Sequence, residues 1–108
     1  MKIYFIYVTF GSLNEAKKLG SKLVKAKLAA CTNIFPKIYS TYIWKNKTMT
    51  DKECSMIVKT SKSRVKAAIK FILKKHSYEC PAVSAFPIQS THPDLQRWIH
   101  EQTMSKLK

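Results

Sequence analysis

Apolar and polar positions along the chain repeat with two different periods, and the switches between them mark its elements. Lys2 to Thr9 is dense in Ile, Tyr and Val and predicts a buried β-strand. After a break at Gly11, Ser12-Leu-Asn-Glu15 is a capping box, with Ser12 as N-cap and Glu15 at the third helical position. Leu13, Ala16, Gly20, Leu23, Val24 and Leu28 then keep helical spacing. Lys17, Lys18, Lys22 and Lys25 fall mostly off that stripe, which predicts an amphipathic helix of about four turns lying on a sheet.

Ala30 to Trp44 returns to the strand period. Alternation places Ile34, Ile38, Tyr42 and Trp44 on one face and Phe35, Tyr39, Thr41 and Ile43 on the other, so both faces carry aromatic residues. Extended at ~3.3 Å per residue, the segment spans about 50 Å. A domain of this length has a radius of gyration of about 13 Å. The strand must therefore bend or project, and Pro36, which cannot donate to a ladder, marks a bend or bulge. Lys45-Asn46-Lys47 predicts a turn, with Asn46 able to take a left-handed conformation. The returning strand, Thr48 to Thr60, is polar near the turn and apolar at Met56, Ile57 and Val58, which predicts a projecting hairpin on a buried base.

Ser61 to Ser63 offers caps for a second helix running to Lys75, with Val65, Ala68, Ile69, Ile72 and Leu73 as its stripe. The loop His76-Ser77-Tyr78-Glu79-Cys80-Pro81 leads to a fourth strand, Ala82 to Ile88. Pro93 suits the start of a last helix, Asp94 to Lys106, with Leu95, Trp98, Ile99 and Gln102 inward. The order β-α-β-β-α-β plus a terminal helix predicts an α+β, ferredoxin-like fold: an antiparallel four-stranded sheet with two helices on one face. Residues 1–108 read as one domain, without repeats or linkers. The other sheet face needs cover, which the projecting hairpins of neighbouring subunits would supply.

Composition changes this picture in one respect. Apolar residues make up 45% and charged residues 24%, as in ordinary globular chains, but 20 Lys and Arg against six acids give a formal charge of +14. Such a field attracts nucleic acid, anionic membrane or acidic ligands. Only Arg64 and Arg97 are arginines, and the lysines are spread along the chain, which suits a solvated surface better than a specific phosphate reader. An RNA-recognition module needs aromatic residues on its third strand. Glu53-Cys54-Ser55-Met56-Ile57-Val58-Lys59 has none, which leaves weak, non-specific nucleic-acid binding as the alternative. No apolar run is long enough to enter a membrane, and no signal-peptide layout is present, so a cytoplasmic location without membrane insertion is expected. Cys31, Cys54 and Cys80 form no C-x-x-C pair and are expected to be reduced thiols.

Five motifs run in one register. Leu28-Ala29-Ala30-Cys31-Thr32-Asn33-Ile34 follows the first helix. Ser40-Thr41-Tyr42-Ile43-Trp44 occupies the second strand, and Asp51-x-Glu53 with Lys59-Thr60 the third. His76-Ser77-Tyr78-Glu79-Cys80-Pro81 forms the loop, and Leu95-Gln96-Arg97-Trp98-Ile99 closes the chain. Together they resemble the CutA family of divalent-cation tolerance proteins over essentially the whole length. The resemblance implies a homotrimer built through long hairpins and associated with the response to divalent metal ions, copper in particular, with no enzymatic reaction and no required cofactor. Lys45-Asn46 replaces the Glu-Gly usual at the family's hairpin tip. Val8, Lys75 and Ala82 stand where members of the family can offer ligands or charge.

Candidate metal ligands are His76 and Glu79 in the loop, with Cys31 as the soft third ligand and Cys80 as its alternative; imidazole, carboxylate and thiolate suit copper or another divalent cation. The competing reading has Tyr78 and Glu79 holding the loop through hydrogen bonds. Trp44, Lys59 and Tyr78 are the candidate residues of an intersubunit cleft, Lys59 as a partner for Glu79 and Trp44 as an interface anchor. A small-molecule-sensing or signalling trimer is the other functional alternative, although no Gly-rich phosphate loop or nucleophile–His spacing supports it.

Overall fold

Ile6, Val8 and Phe10 alternate with more exposed neighbours along the first strand, β1 (Ile3–Phe10), and their side chains are fully buried on one face. The computed structural model describes residues 2–104. Beyond β1 the chain forms α1 (Leu13–Lys25), β2 (Cys31–Trp44), β3 (Lys47–Ser61), a 3-10 turn (Lys62–Arg64), α2 (Val65–Lys75), β4 (Val83–Pro87) and α3 (Pro93–Gln102). The strands make one antiparallel sheet in the order β2-β3-β1-β4. This is the α+β, ferredoxin-like arrangement the pattern predicts. The last helix, expected to run from Asp94 to Lys106, ends at Gln102, with Thr103 and Met104 in a turn and a bend; residues 105–106 fall outside the described residues.

Ala16, Leu19, Gly20 and Leu23 of α1 and Ala68 and Ile72 of α2 close over Ile6, Val8, Phe10, Cys54, Met56 and Val58, giving the main core. Leu19 belongs to this stripe, whereas Leu13, Val24 and Leu73 are exposed. α1 lies close on the sheet: a Cβ at Gly20 would stand 2.9 Å from the Thr32 hydroxyl and 3.1 Å from the Met56 sulfur. The expected caps at Ser61 and Ser63 do not form. Ser61 instead pairs with Ser63 and with Thr103, the residue that follows α3.

The third helix differs from expectation in what it buries. Ile99 is fully buried with Ile3 and Ala30, against Phe5, Cys31 and Ile88, but Leu95, Trp98 and Gln102 are exposed. Ile3, Phe5 and Cys31 share a register row with Lys59 or lie two residues along it, on the sheet face opposite α1 and α2. α3 therefore covers only one end of that face.

The hairpin β2–β3 extends the molecule to 50 × 30 × 21 Å, with a radius of gyration of 14.8 Å. That exceeds the ~13 Å of a sphere-like chain of this length. Its two-residue tip, Lys45-Asn46, has positive φ at both positions (50° and 67°), the conformation that matches the twist of the flanking strands. At Pro36 the pairing slips: Phe35 faces Ser55, but Ile38 faces Glu53, so β2 carries one extra residue. The slip inverts the alternation beyond it. Ile34, opposite buried Met56, stays on the helix side, while Ile38, Tyr42 and Trp44 join Phe35 on the other face. The uninterrupted alternation expected across this segment is corrected by that bulge. Phe35, Tyr42 and Trp44 now gather on the face that α3 leaves open, while Tyr39 stays on the other.

Candidate functional site

The loop between α2 and β4 is held down at its first residue. The His76 side chain has no exposed surface and stacks on Phe10, with ring centroids 4.6 Å apart and planes 8° from parallel. Its Nδ1 accepts from the Tyr78 backbone N–H at 3.0 Å. The proton therefore sits on Nε2, which donates to the Thr9 carbonyl at 2.7 Å. Ser77 adds a second clasp. Its N–H and hydroxyl donate to the two oxygens of Glu15 at 2.8 and 2.9 Å. Ser12 does cap α1 by accepting from the Glu15 N–H at 3.1 Å. The Glu15 side chain, however, straps the loop rather than completing the capping box.

Tyr78 then turns across Gly11, where an added Cβ would meet its ring at 3.3 Å. Its hydroxyl donates to Glu53 at 2.5 Å. Ser40 donates to the other Glu53 oxygen at 2.7 Å, tying β2, β3 and the loop together through one carboxylate. One step along the hairpin, the Tyr42 hydroxyl bonds Asp51. Between loop and hairpin lies a cleft of about 540 Å³ that includes Tyr42, Trp44, Asp51, Glu53, Glu79 and Cys80 in its walls. Four of the chain's six acids, Glu15, Asp51, Glu53 and Glu79, line this cleft or strap its loop.

Burial, then the hydrogen bond to Glu53 and the charges of Glu53 and Glu15, push the Tyr78 phenol well above its ordinary value. The same logic raises Tyr42, chiefly through its bond to Asp51. Desolvation raises the Cys54 thiol, which donates to the Ser12 carbonyl and packs as a core residue. For Tyr78 the sign is fixed. The folded state holds the proton more tightly, so its contribution to stability is complete below pH ~10 and is lost as pH rises above it. Tyr78→Phe is expected to cost about 1.5–3 kcal/mol at neutral pH, the value of a hydrogen bond to a charged group. It should also flatten the alkaline loss of stability. Urea unfolding of both proteins at pH 7 and above pH 10 checks both effects; equal stabilities at neutral pH would remove the tether.

The structure brings together some of the residues named from the sequence and separates others. Trp44 and Tyr78 both line the cleft between loop and hairpin. Lys59 does not reach it. Its register partners are Phe5 and Cys31, at the far end of the sheet from Thr9 and Gly11, and its ammonium lies 5.4 Å from the Phe5 ring centroid. The proposed pairing of Lys59 with Glu79 is thus absent within one subunit. The three candidate metal ligands are also apart: Glu79 is in the cleft wall, Cys31 is beside Lys59 with its thiol toward Asn33, and the ring of His76 is buried. Among the described residues, no three His, Cys, Asp or Glu side chains converge on one ion position. A metal at His76 would have to displace the bond to Thr9 or to Tyr78. Glu53 carries the junction but was legible only as part of a motif. The usable signal was an acid inside a strand whose apolar half is buried.

The sequence model of a family described as CutA1 divalent ion tolerance protein matches residues 4–102. The chain is 37% identical over 99 residues to mouse Protein CutA, aligning 92% of this chain with 56% of that protein, and 39% identical over 97 residues to the divalent-cation tolerance protein CutA of Archaeoglobus fulgidus, aligning 90% with 94%. It spans about half the length of the mouse relative and nearly all of the archaeal one. The crystal structure of CutA1 from Ehrlichia chaffeensis superposes with a TM-score of 0.93 at 30% identity, covering 97% of this chain and 99% of that one. The rice CutA1 structure gives 0.93 at 33% identity, covering 98% and 97%.

Proposed function

Because the chain belongs to the CutA1 divalent ion tolerance family, we propose that it works as a non-enzymatic homotrimer that receives divalent cations in the cleft below its hairpin. One observation carries the cleft assignment. In a chain of formal charge +14, Asp51, Glu53 and Glu79 meet at this one concave place, with the Cys80 thiol beside them. Elsewhere the lysines give a field that repels cations; at this place three carboxylates oppose it.

Engagement decides which groups act. Both Glu53 oxygens and one of Asp51 accept hydrogen bonds from Ser40, Tyr78 and Tyr42, so these carboxylates shape the cleft and set its charge. Glu79 and Cys80 are exposed on its wall and are the groups free to approach an ion from the loop side. Carboxylate plus thiolate favours copper among the divalent cations. Two ligands from one subunit leave the coordination open, and a neighbouring hairpin seated over the cleft is the source of the rest. The fold contributes rigidity: the His76 stack and the Glu15 clasp keep the loop fixed.

The test is calorimetric titration of the purified protein with Cu(II) chloride. The double variant Glu79→Gln with Cys80→Ser is expected to lose at least about tenfold in affinity, while Glu101→Gln on α3 leaves it unchanged. Equal affinities in all three proteins would remove the cleft as the cation site.

A further inference from the structure

The strongest unassigned feature lies at the opposite end of the molecule from the acid-rich cleft. The residue before β1, the junction from β3 to α2, and α3 border an open recess of about 590 Å³ lined by Lys2, Ser61, Lys62, Ser63, Lys66 and His100. Among the described residues, the side chains that line it end in an ammonium, a hydroxyl or an imidazole, and none is a carboxylate. We propose that this recess is an anion site that binds a small phosphorylated ligand bearing two or more negative charges.

The recess is built from fixed parts. The Lys62 N–H donates to the Lys2 carbonyl at 2.9 Å, locking the start of β1 to the turn before α2. Ser61 and Thr103 hydroxyls pair at 2.8 Å in the interior, and the Arg64 guanidinium donates to the Thr103 carbonyl at 2.7 Å. These two bonds clamp the end of α3, and with it His100, against the β3–α2 junction. The three elements around the recess therefore keep one relative geometry, and Lys2, Lys62 and Lys66 project from a fixed rim. Preorganisation of this kind lowers the ordering cost of binding.

The entry to α2 adds to the field. α1 begins with Ser12 as a cap and Glu15 in its first turn, and α3 begins with His92 accepting from the Asp94 N–H. α2 has neither a side-chain cap nor an acid in its first turn, so the positive end of its dipole is not neutralised locally. Lys62 and Lys66 lie one turn apart at that end, and Lys2, the residue before β1, lines the same recess. Lysine ammoniums act as point charges on phosphate, without the planar fork that selects one geometry. A concave site of this volume holds a compact diphosphate-bearing molecule. An extended polyanion would have no reason to prefer the recess over the lysine-rich outer faces of α1 and α2.

Calorimetric titration with inorganic pyrophosphate, on the full chain in metal-free buffer at physiological ionic strength, tests the assignment. Lys62→Glu with Lys66→Glu is compared with Lys17→Glu with Lys18→Glu, an equal charge change on the exposed face of α1. The expected result is saturable binding of one pyrophosphate per chain, weakened at least about tenfold by the 62/66 pair and less than about twofold by the 17/18 pair. The milder Lys62→Gln with Lys66→Gln should fall between, which guards against a folding defect in the reversal. Titrations with a short DNA duplex and with phosphatidylglycerol vesicles separate a small ligand from a nucleic-acid backbone or lipid headgroups. No saturable pyrophosphate binding would overturn the proposal. So would equal losses in both charge reversals, or tighter binding to duplex or vesicle that both reversals weaken alike; each would assign the effect to the diffuse charge of the chain.

Discussion

Sedimentation equilibrium at micromolar concentration is expected to return three times the 12.5 kDa chain mass, with no folded monomer. The ground for this is surface the subunit leaves open. On the sheet face that α3 only partly covers, Phe35 is 48% and Trp44 51% exposed, with Tyr7 and Tyr42 beside them. On the other side of the projecting hairpin, Ile43 is 73% exposed. Isolated exposed apolar residues are ordinary, but a row of aromatic side chains on an edge strand is not. At about 25 cal/mol per Å² of apolar area, covering several such residues per subunit stabilises an assembly by many kcal/mol. A two-stranded hairpin that projects alone is marginal in water, so its order also argues for a neighbour. Folding and assembly are then coupled, and thermal stability should rise with protein concentration. Phe35→Asp with Trp44→Asp removes two aromatic anchors and places two charges on that surface. At ≥ 2 kcal/mol for each anchor lost, the assembly constant should fall by more than about a thousandfold. A 12.5 kDa species for the parent protein would sink the trimer and the shared cleft with it.

What the sequence disclosed followed from periods, and what it withheld followed from contacts between distant segments. Strand and helix periods place every element within a few residues, because the buried stripes of β1, β3, α1 and α2 are local properties of the chain. Pro36 announced a bend or a bulge but not which, nor its consequence for the alternation. Whether a proline kinks a strand or inserts a bulge depends on the partner register, and only the bulge moves Tyr42 and Trp44 onto the face of Phe35. Leu95 and Trp98 kept the spacing of an inward stripe yet lie outside, since one residue, Ile99, fills the small gap beside Ile3 and Ala30. The Ser-x-x-Glu pattern at Ser12 gave the helix start correctly. It could not show that Glu15 bonds Ser77, 62 residues later, because the competing partner is supplied by the fold. In the site, the loop and Trp44 were legible as motifs. Within one subunit Lys59 lies at the end of β3 away from the loop, because strand length alone does not say which end of β3 lies beside it.

His76 is where sequence chemistry and fold pull apart, and replacing it is expected to have the largest effect within a single subunit. A histidine next to Glu79 and Cys80 invites a ligand role. Its ring instead fills a buried position against Phe10 and satisfies two backbone groups, the Thr9 carbonyl and the Tyr78 N–H. His76→Ala removes the stacked ring, at about 3 kcal/mol for a large-to-small change in a packed site. It also leaves two backbone groups without partners, at about 1–3 kcal/mol each where water does not enter. Release of the loop then weakens the Tyr78–Glu53 bond. Together these amount to several kcal/mol, on the order of 15 °C or more in Tm for a chain of this size. His76→Phe keeps the stack and loses both hydrogen bonds, so it should fall between parent and alanine variant. The measurement is thermal and urea unfolding in excess EDTA, because a residue acting only as a metal ligand contributes nothing once metal is gone. A loss below about 1 kcal/mol in EDTA would show that the ring is dispensable to the fold and return it to the metal site. The expected large loss without metal assigns His76 to the loop's anchorage and leaves Glu79 and Cys80 as the groups proposed to meet a cation.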